Sequence, residues 1–249
     1  MTVVPAPGKK YVRAFNRFEL KYIIHFSQAR ALLKSIGAHV RHDPHAGRDG
    51  FYKIVSLYYD SPDLSCYWEK LDGEMYRRKI RVRTYGESPD EAFLEIKQRY
   101  NLNVQKRRCR FPLKVINREL ESISTGPYNG GIDPVFDEVF NVVRRRALEP
   151  KLIISYNRAA FFDRHRRDLR ITLDRNIKFR SQCLSLEKNR LKGRYVIPPT
   201  MMILEVKFDE TIPQWISSCL NRLDFQVQRF SKYCEGVERS GLDLRTPGH

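Results

Sequence analysis

The chain has 249 residues, 41% of them hydrophobic and 12% aromatic, enough for one substantial core or at most two small ones. Its 46 Lys plus Arg against 29 Asp plus Glu give a net charge of +17, which favours anionic partners such as nucleic acid, phosphorylated metabolites or acidic lipid headgroups. No apolar run reaches the roughly 20 residues that span a bilayer and no secretory leader opens the chain, so a soluble, cytoplasmic single domain over 1–249, with its core from about 11 to 238, is expected.

Near the start, Arg17, Glu19 and Lys21 alternate with Phe18, Leu20 and Tyr22, the period of a half-buried antiparallel strand. Ser27 is placed to cap a helix carrying Leu32, Leu33 and Ile36 that ends at Gly37. His39, His42 and His45 cluster with Asp43, but Asp43-Pro44 interrupts them and their spacing fits no single helical face, so a loop rather than a metal site is expected. Ser61-Pro62 opens a second helix through Leu64, Tyr67, Trp68 and Leu71 that stops near Gly73. The next segment, Arg77-Arg78-Lys79-Ile80-Arg81-Val82-Arg83, is a strand with Arg77, Lys79, Arg81 and Arg83 on one face. Four adjacent same-face cations repel one another and are tolerated only in water or opposite a polyanion.

Glu95, Lys97 and Arg99 then alternate with Leu94 and Ile96. A loop is expected from Ser122 to Gly131, and Asp133-Pro134 opens a third helix with Val135, Phe136, Val139, Phe140 and Val143. The basic runs Arg144 to Arg146 and Arg164 to Arg167 are expected as solvated faces. Tyr156 and Arg158 share one strand face, Arg170, Thr172 and Asp174 another, and Glu205 and Lys207 a third, opposite Met202, Leu204, Val206 and Phe208. Ile212 to Leu223, with Trp215, Ile216 and Leu220, reads as a fourth helix. Cys66, Cys109, Cys183, Cys219 and Cys234 form no C-x-x-C pair, which points to reduced, mostly structural thiols.

Half-charged strands backed by helices fit an open sheet with one wet face or a closed barrel with a polar interior. The mixture of carboxylates among the cations favours the second: an α+β fold built on an antiparallel β-barrel with a polar, basic lumen, flanked by helices. Charge inside a lumen is costly unless a ligand or ion compensates it. An extended polyphosphate would do so, gripped by Arg and Lys, with a carboxylate such as Glu205 holding a divalent metal. In this arrangement Ile80 and Val82 pack outward beneath helices. A nucleic-acid groove fits less well, because the cations share faces with Glu19, Glu95 and Glu205.

An ordered set of segments carries a resemblance: Phe18–Tyr22, Ser56–Pro62, Lys79–Tyr85, Phe93–Lys97, Tyr156–Arg158, Arg170–Asp174, Leu204–Lys207 and Phe230–Tyr233. Together they resemble the VTC domain, the polyphosphate polymerase domain of the vacuolar transporter chaperone complex, over nearly the whole chain. The resemblance implies a tunnel-shaped barrel related to the CYTH and triphosphate tunnel enzymes. It also implies ATP and inorganic polyphosphate as substrates, transfer of the ATP γ-phosphoryl group to the growing chain, and Mn2+ or Mg2+ as cofactor. By the same resemblance Lys21, Arg81, Arg83, Lys97, Arg158, Arg170, Ser231 and Lys232 are phosphate ligands and Glu205 the metal ligand. Lys106 and Tyr156 line the lumen, Lys79 belongs to its wall, Arg229 is the basic residue before Phe-Ser-Lys, and Lys207 is a further phosphate contact.

One departure bears on the reaction. Triphosphatases of the wider superfamily resemble Glu-x-Glu-x-Lys, whereas this chain has Arg17-Phe18-Glu19-Leu20-Lys21, losing a candidate metal carboxylate and gaining a cation. That tilts the expectation from hydrolysis of tripolyphosphate or a nucleoside triphosphate toward a polymerase. A non-catalytic polyphosphate-binding module is the other alternative. No SPX regulatory domain or membrane segment is expected in the chain, and a membrane-protein partner is left open.

Overall fold

The computed structural model describes residues 17–47, 49–87, 89–101, 103–115, 133–186 and 193–245. The expected loop from Ser122 to Gly131 and the end before Tyr11 lie outside the described residues, as does most of the segment after Leu244. Among the described residues ten strands form one antiparallel sheet: β1 (Arg17–His25), β2 (Val40–His42), β3 (Tyr52–Asp60), β4 (Tyr76–Tyr85), β5 (Glu91–Tyr100), β6 (Asn103–Pro112), β7 (Glu149–Asp163), β8 (Arg170–Arg180), β9 (Arg194–Tyr195) and β10 (Met201–Asp209). The hydrogen-bonded order is β1-β10-β8-β7-β3-β4-β5-β6, with β2 also on β7 and β9 on β8. Among the described residues the helices are α1 (Phe26–Ile36), α2 (Ser65–Leu71), α3 (Pro134–Arg145), α4 (Gln214–Arg222) and α5 (Lys232–Ser240). None of them is long and apolar enough to cross a membrane.

The apolar halves of the alternating strands are covered from outside by two groups of helices. Ile80, Val82, Leu94 and Ile96, all 0% exposed, pack with Val139, Phe140 and Val143 of α3, so this row does lie outward beneath a helix. Ile171, Leu173, Leu204 and Val206 pack with Leu32 and Ile36 of α1 and Ile216 and Leu220 of α4. Each such side chain contributes about 1.5–3 kcal/mol of burial. Asp133 starts α3 as expected, its Oδ1 accepting the amides of Val135 at 2.8 Å and Phe136 at 3.3 Å, with Pro134 behind it. The first helix begins two residues earlier than a Ser27 cap would set it, because the His25 side chain caps it and the His25 amide donates to Gln28 Oε1 at 2.8 Å.

Two helices differ from expectation. Ser61-Pro62 forms a turn, and α2 starts only at Ser65, after Leu64 in a left-handed conformation at φ 59°. The buried Asp60 carboxylate does the capping instead, accepting from the amides of Ser61 at 2.8 Å, Cys66 at 2.8 Å and Tyr67 at 3.1 Å. Its Oδ2 also accepts the Tyr233 hydroxyl at 2.5 Å, which ties α5 to β3. That fifth helix was not expected, since its nine residues carry too short an apolar stripe to read. Gly236 permits its close approach: a Cβ there would lie 2.6 Å from Leu152 Cδ2 and 2.8 Å from Ile154 Cδ1.

On β7 and β8 the inner face of the sheet is charged at one end and apolar at the other, and a bulge makes the switch. In β8, Arg170, Thr172 and Asp174 point inward. The register against β7 then shifts, Asn176 takes φ 53°, and Ile177 and Phe179 point inward instead. One extra residue flips side-chain parity, which creates the apolar floor on which Phe230, Tyr233 and Val237 pack.

The expected closed barrel is corrected to a curled, open sheet. Among the described residues the ladder begins at β1 and ends at β6, which do not pair with each other. Flat strands would hold β1 and β5 roughly 29 Å apart, at about 4.8 Å per step. Yet Lys97 of β5 feels the charges of Glu19 and Lys21 of β1 and of Lys207 of β10, so the charged faces look at one another across a concavity. Closure fails for a physical reason at each edge. Beside β1 runs the segment following α4, with the Gln228 amide donating to Lys21 O at 2.8 Å, and β6 presents Lys106, Arg107, Arg108 and Arg110, which disfavour strand pairing.

The histidines split between packing and loop: His39 stacks on Trp215 at 4.5 Å and His42, in β2, lies 4.7 Å from Phe161. The cysteines are all free, four buried and Cys183 exposed.

Candidate phosphate-binding face

At the centre of the concavity two buried carboxylates are gripped by cations from three elements. Asp174 (β8), 0% exposed, accepts from Arg158 (β7) through Nε at 2.7 Å and Nη2 at 2.8 Å, and pairs with Lys232 Nζ at 2.7 Å. Glu205 (β10) pairs with Lys232 at 2.9 Å, Lys207 at 3.0 Å and Arg158 at 3.4 Å. Lys232 is the first residue of α5, so the unexpected helix delivers the ammonium that bridges both carboxylates. Ser231 caps that helix, its Oγ accepting the Cys234 amide at 3.4 Å, and keeps its O–H free to donate. Tyr156 lies beneath this group with Arg158 and Lys232 at 5.2 and 5.0 Å over its ring.

Lys21 and Glu19 adjoin the cluster. Lys21 Nζ donates to Phe230 O at 3.0 Å and pairs with Glu19 at 3.3 Å, while Lys207 stands 3.9 Å from the same carboxylate. Thr172, opposite Glu205 in the ladder, is buried and its Oγ1 has no hydrogen-bond partner among the described residues.

The second wall is β4, β5 and β6. Arg81 reaches Glu95 at 2.7 Å and donates to the Tyr58 hydroxyl at 3.1 Å, and Lys106 pairs with Glu95 at 2.6 Å. Arg83, 6% exposed, donates from Nε to Ser56 Oγ at 2.9 Å. Beyond Glu95 the inward residues of β4 and β5 are all cations: Lys79 lies directly opposite Lys97, Lys97 opposite Lys106 of β6, and Arg77 opposite Arg99. Like charges directly across a ladder destabilise it. Arg77 is nonetheless 8% exposed, with a 3.4 Å bond to Glu69 O, and Lys79 sits over the Tyr233 ring at 5.2 Å.

The surrounding cations hold the carboxylates ionised. Burial alone would raise the pKa of Glu95, but Arg81, Arg83 and Lys106 pull it down to about 2. Burial is likewise outweighed at Glu205, where Lys232, Lys207 and Arg158 hold the carboxyl well below the usual range. Lys232 is kept above the ordinary lysine value, Asp174 and Glu205 overriding its desolvation. A carboxylate depressed on folding stabilises the protein above its unfolded pKa and ceases to do so as pH falls through the folded value. Stability should therefore drop between about pH 4.5 and 2. Thermal melts across this range check it: Glu95→Gln should melt lower at pH 7 and lose part of the acid slope, and an unchanged slope would remove Glu95 as its source.

The structure brings Lys21, Lys79, Arg81, Arg83, Lys97, Lys106, Tyr156, Arg158, Glu205, Lys207, Ser231 and Lys232 to this face. Arg170 stands at its edge, 3.4 Å from Asp43 and 5.0 Å over the Phe162 ring. Arg229 is exposed beside Phe230. The Arg17 side chain is outside the described ones. Sequence reasoning passed over Asp174, Glu95 and Tyr58 as site residues. The first two were legible as inward partners of Arg158 and Arg81, but ladder registers were needed to pair them.

A divalent metal needs oxygen donors here. Among the described residues no group of three His, Cys, Asp or Glu could hold one alone. Glu205 fits a hard ion that takes one carboxylate from the protein and its other ligands from phosphates and water, the usual pattern for Mg2+. The ammonium groups of Lys207 and Lys232 now occupy its two oxygens.

A curled antiparallel sheet with helices outside and fixed cations around buried carboxylates within defines the class of α+β domain to which the chain belongs. A solved structure of this fold is the candidate adenylate cyclase of Bacillus halodurans, with a TM-score of 0.51, 13% identity, and 89% of this chain and 95% of that one covered. Residues 16–240 match the model of the VTC domain, and the chain belongs to that family. Vacuolar transporter chaperone complex subunit 4 of Schizosaccharomyces pombe is 26% identical over 235 residues, 78% of this chain but 32% of that protein. The chain thus spans about a third of that relative's length.

Proposed function

We propose that this chain is an ATP-dependent polyphosphate polymerase, acting in the cytoplasm on ATP and inorganic polyphosphate. The observation that carries the reading is the run of like-charged cross-strand pairs, Lys79 with Lys97, Lys97 with Lys106 and Arg77 with Arg99, beside two buried carboxylates. A chain of phosphates laid over these pairs would relieve their repulsion, turning the concavity into a tunnel whose missing wall is closed by ligand.

In the reaction a terminal phosphate oxygen of the chain attacks the γ-phosphorus of ATP. The bond to the β,γ-bridging oxygen breaks and ADP leaves, so the polymer gains one phosphate. Phosphoryl transfer depends mainly on positioning and on neutralising the equatorial oxygens. In this reading Arg81, Arg83, Lys97, Lys106 and Lys21 bind those oxygens, Arg158 and Lys232 hold Glu205 in place, and Lys207, Arg170, Ser231 and Arg229 add contacts along the chain. Mn2+ or Mg2+ on Glu205 would supply charge neutralisation at the reacting phosphates.

Purified chain incubated with ATP and Mn2+ should yield polyphosphate ladders on a gel with stoichiometric ADP. Orthophosphate from tripolyphosphate without any polymer would replace this reading with a triphosphatase. Tight polyphosphate binding with no turnover of either substrate would replace it with a binding module.

A further inference from the structure

The end of the concave face that carries Arg158 and Arg170 holds a patch of adjoining aromatic rings. Tyr52 of β3, Tyr85 of β4 and Phe93 of β5 point inward with the parity of Tyr58, Arg83 and Glu95, and each is only half-buried. The Tyr52 and Tyr85 rings are 6.4 Å apart, Tyr85 and Phe93 meet edge-to-face at 5.5 Å, and Arg108 lies 5.1 Å over Phe93. Tyr52 is opposite Arg158 in the ladder and feels the charges of Arg158 and Arg170. Tyr85 is two residues beyond Arg83, and Phe93 directly opposite it. At the other end of the same wall the inward residues are Lys79, Arg77 and Arg99, and the ring there, Tyr233 under Lys79, is buried rather than open to a ligand.

Half-exposed aromatic rings cost free energy in water and gain it when a flat apolar surface covers them. On a face that otherwise suits phosphate, the ligand group with such a surface is a nucleobase, which stacks on aromatic side chains for about 1–3 kcal/mol. We infer that Tyr52, Tyr85 and Phe93 form a stacking subsite for the base of the nucleoside triphosphate donor. This rests on the polymerase reading and gives the site a direction. With the base held at this end, the triphosphate runs past Arg83 toward Arg81 and Glu205, and the growing chain lies over Lys79, Lys97, Arg77 and Arg99. From Arg83 to Arg77 the strand extends roughly 20 Å, at about 3.4 Å per residue.

The test is calorimetric titration, with Mn2+, of the β,γ-imido analogue of ATP and of inorganic tripolyphosphate into the parent chain and into Tyr85→Leu, Phe93→Leu and Tyr85→Phe. The two leucine variants should bind the nucleotide about ten-fold more weakly, with tripolyphosphate affinity moving less than two-fold, and Tyr85→Phe should bind as the parent does. Retained tripolyphosphate binding also reports that the variants are folded. Equal losses for both ligands, or no loss for the nucleotide, would overturn the subsite and leave the polymerase reading standing. A parent chain that binds neither ligand would overturn both.

Discussion

Glu205→Gln should reduce polyphosphate synthesis by about 100-fold or more while leaving polyphosphate binding intact or tighter. The substitution keeps the shape and one acceptor oxygen but removes a charge that is 4% exposed and in contact with Lys232, Lys207 and Arg158. Losing an electrostatic group that acts on the reacting phosphates costs about 100- to 1,000-fold in turnover. Binding should respond in the opposite sense. In the parent, Glu205 helps neutralise Arg158, Lys232 and Lys207; in the variant Asp174 remains for the first two and Glu19 for Lys207, so the free protein has more uncompensated positive charge to offer an anion. The ligand-free variant should also melt at a lower temperature, since breaking a buried pair leaves charge without a partner, and polyphosphate should restore much of the difference by mass action. Gel assay of synthesis, titration of polyphosphate and melting with and without it separate these effects. A parallel fall in binding and synthesis would make Glu205 a structural ion-pair residue, and undiminished synthesis would remove it from the chemistry.

What the sequence could show about this site follows from what period-two alternation encodes. Alternation assigns side chains to faces, and it placed Arg81, Arg83, Arg158 and Glu205 inward and Ile80 and Val82 beneath α3 correctly. It contains no register, so the partners Glu95 for Arg81 and Asp174 for Arg158 emerge only from the ladders. Nor does it survive a bulge: at Asn176 the parity of β8 reverses, and the apolar floor under α5 is invisible to a rule of alternate residues. Barrel closure was overestimated because inward charge specifies a wet face, whereas closure depends on edges. The edge of β1 is occupied by Gln228 and that of β6 is basic. The short α5 lay beyond pattern reading as well, yet Ser231 before it had the chemistry of a cap, which is the role its Oγ takes.

Arg158 and Arg83 look equivalent in sequence, each an inward arginine in a strand, but their substitution by methionine should have opposite consequences. Arg158 is spent on the protein itself: both of its bonds to Asp174 are under 3 Å, and Asp174 is 0% exposed. Arg158→Met leaves that carboxylate with Lys232 and should cost about 3–5 kcal/mol of stability. Arg83 is as deeply buried, at 6% exposure, but its hydrogen bond goes to a neutral hydroxyl, Ser56 Oγ at 2.9 Å. Its desolvated guanidinium is the better placed of the two to take a phosphate oxygen without abandoning a carboxylate. Arg83→Met should therefore change stability by no more than about 1 kcal/mol while weakening tripolyphosphate binding by about ten-fold or more, the scale of a charge-assisted hydrogen bond. Denaturant midpoints give the first quantity and titration at a temperature where both variants are folded gives the second. If Arg158→Met instead dominated the loss of binding with little loss of stability, Asp174 would have to release Arg158 to the incoming phosphate. The Arg158–Asp174 pair would then open on ligand binding, and Lys232, which touches both carboxylates, would be the group that keeps Asp174 compensated while it does so.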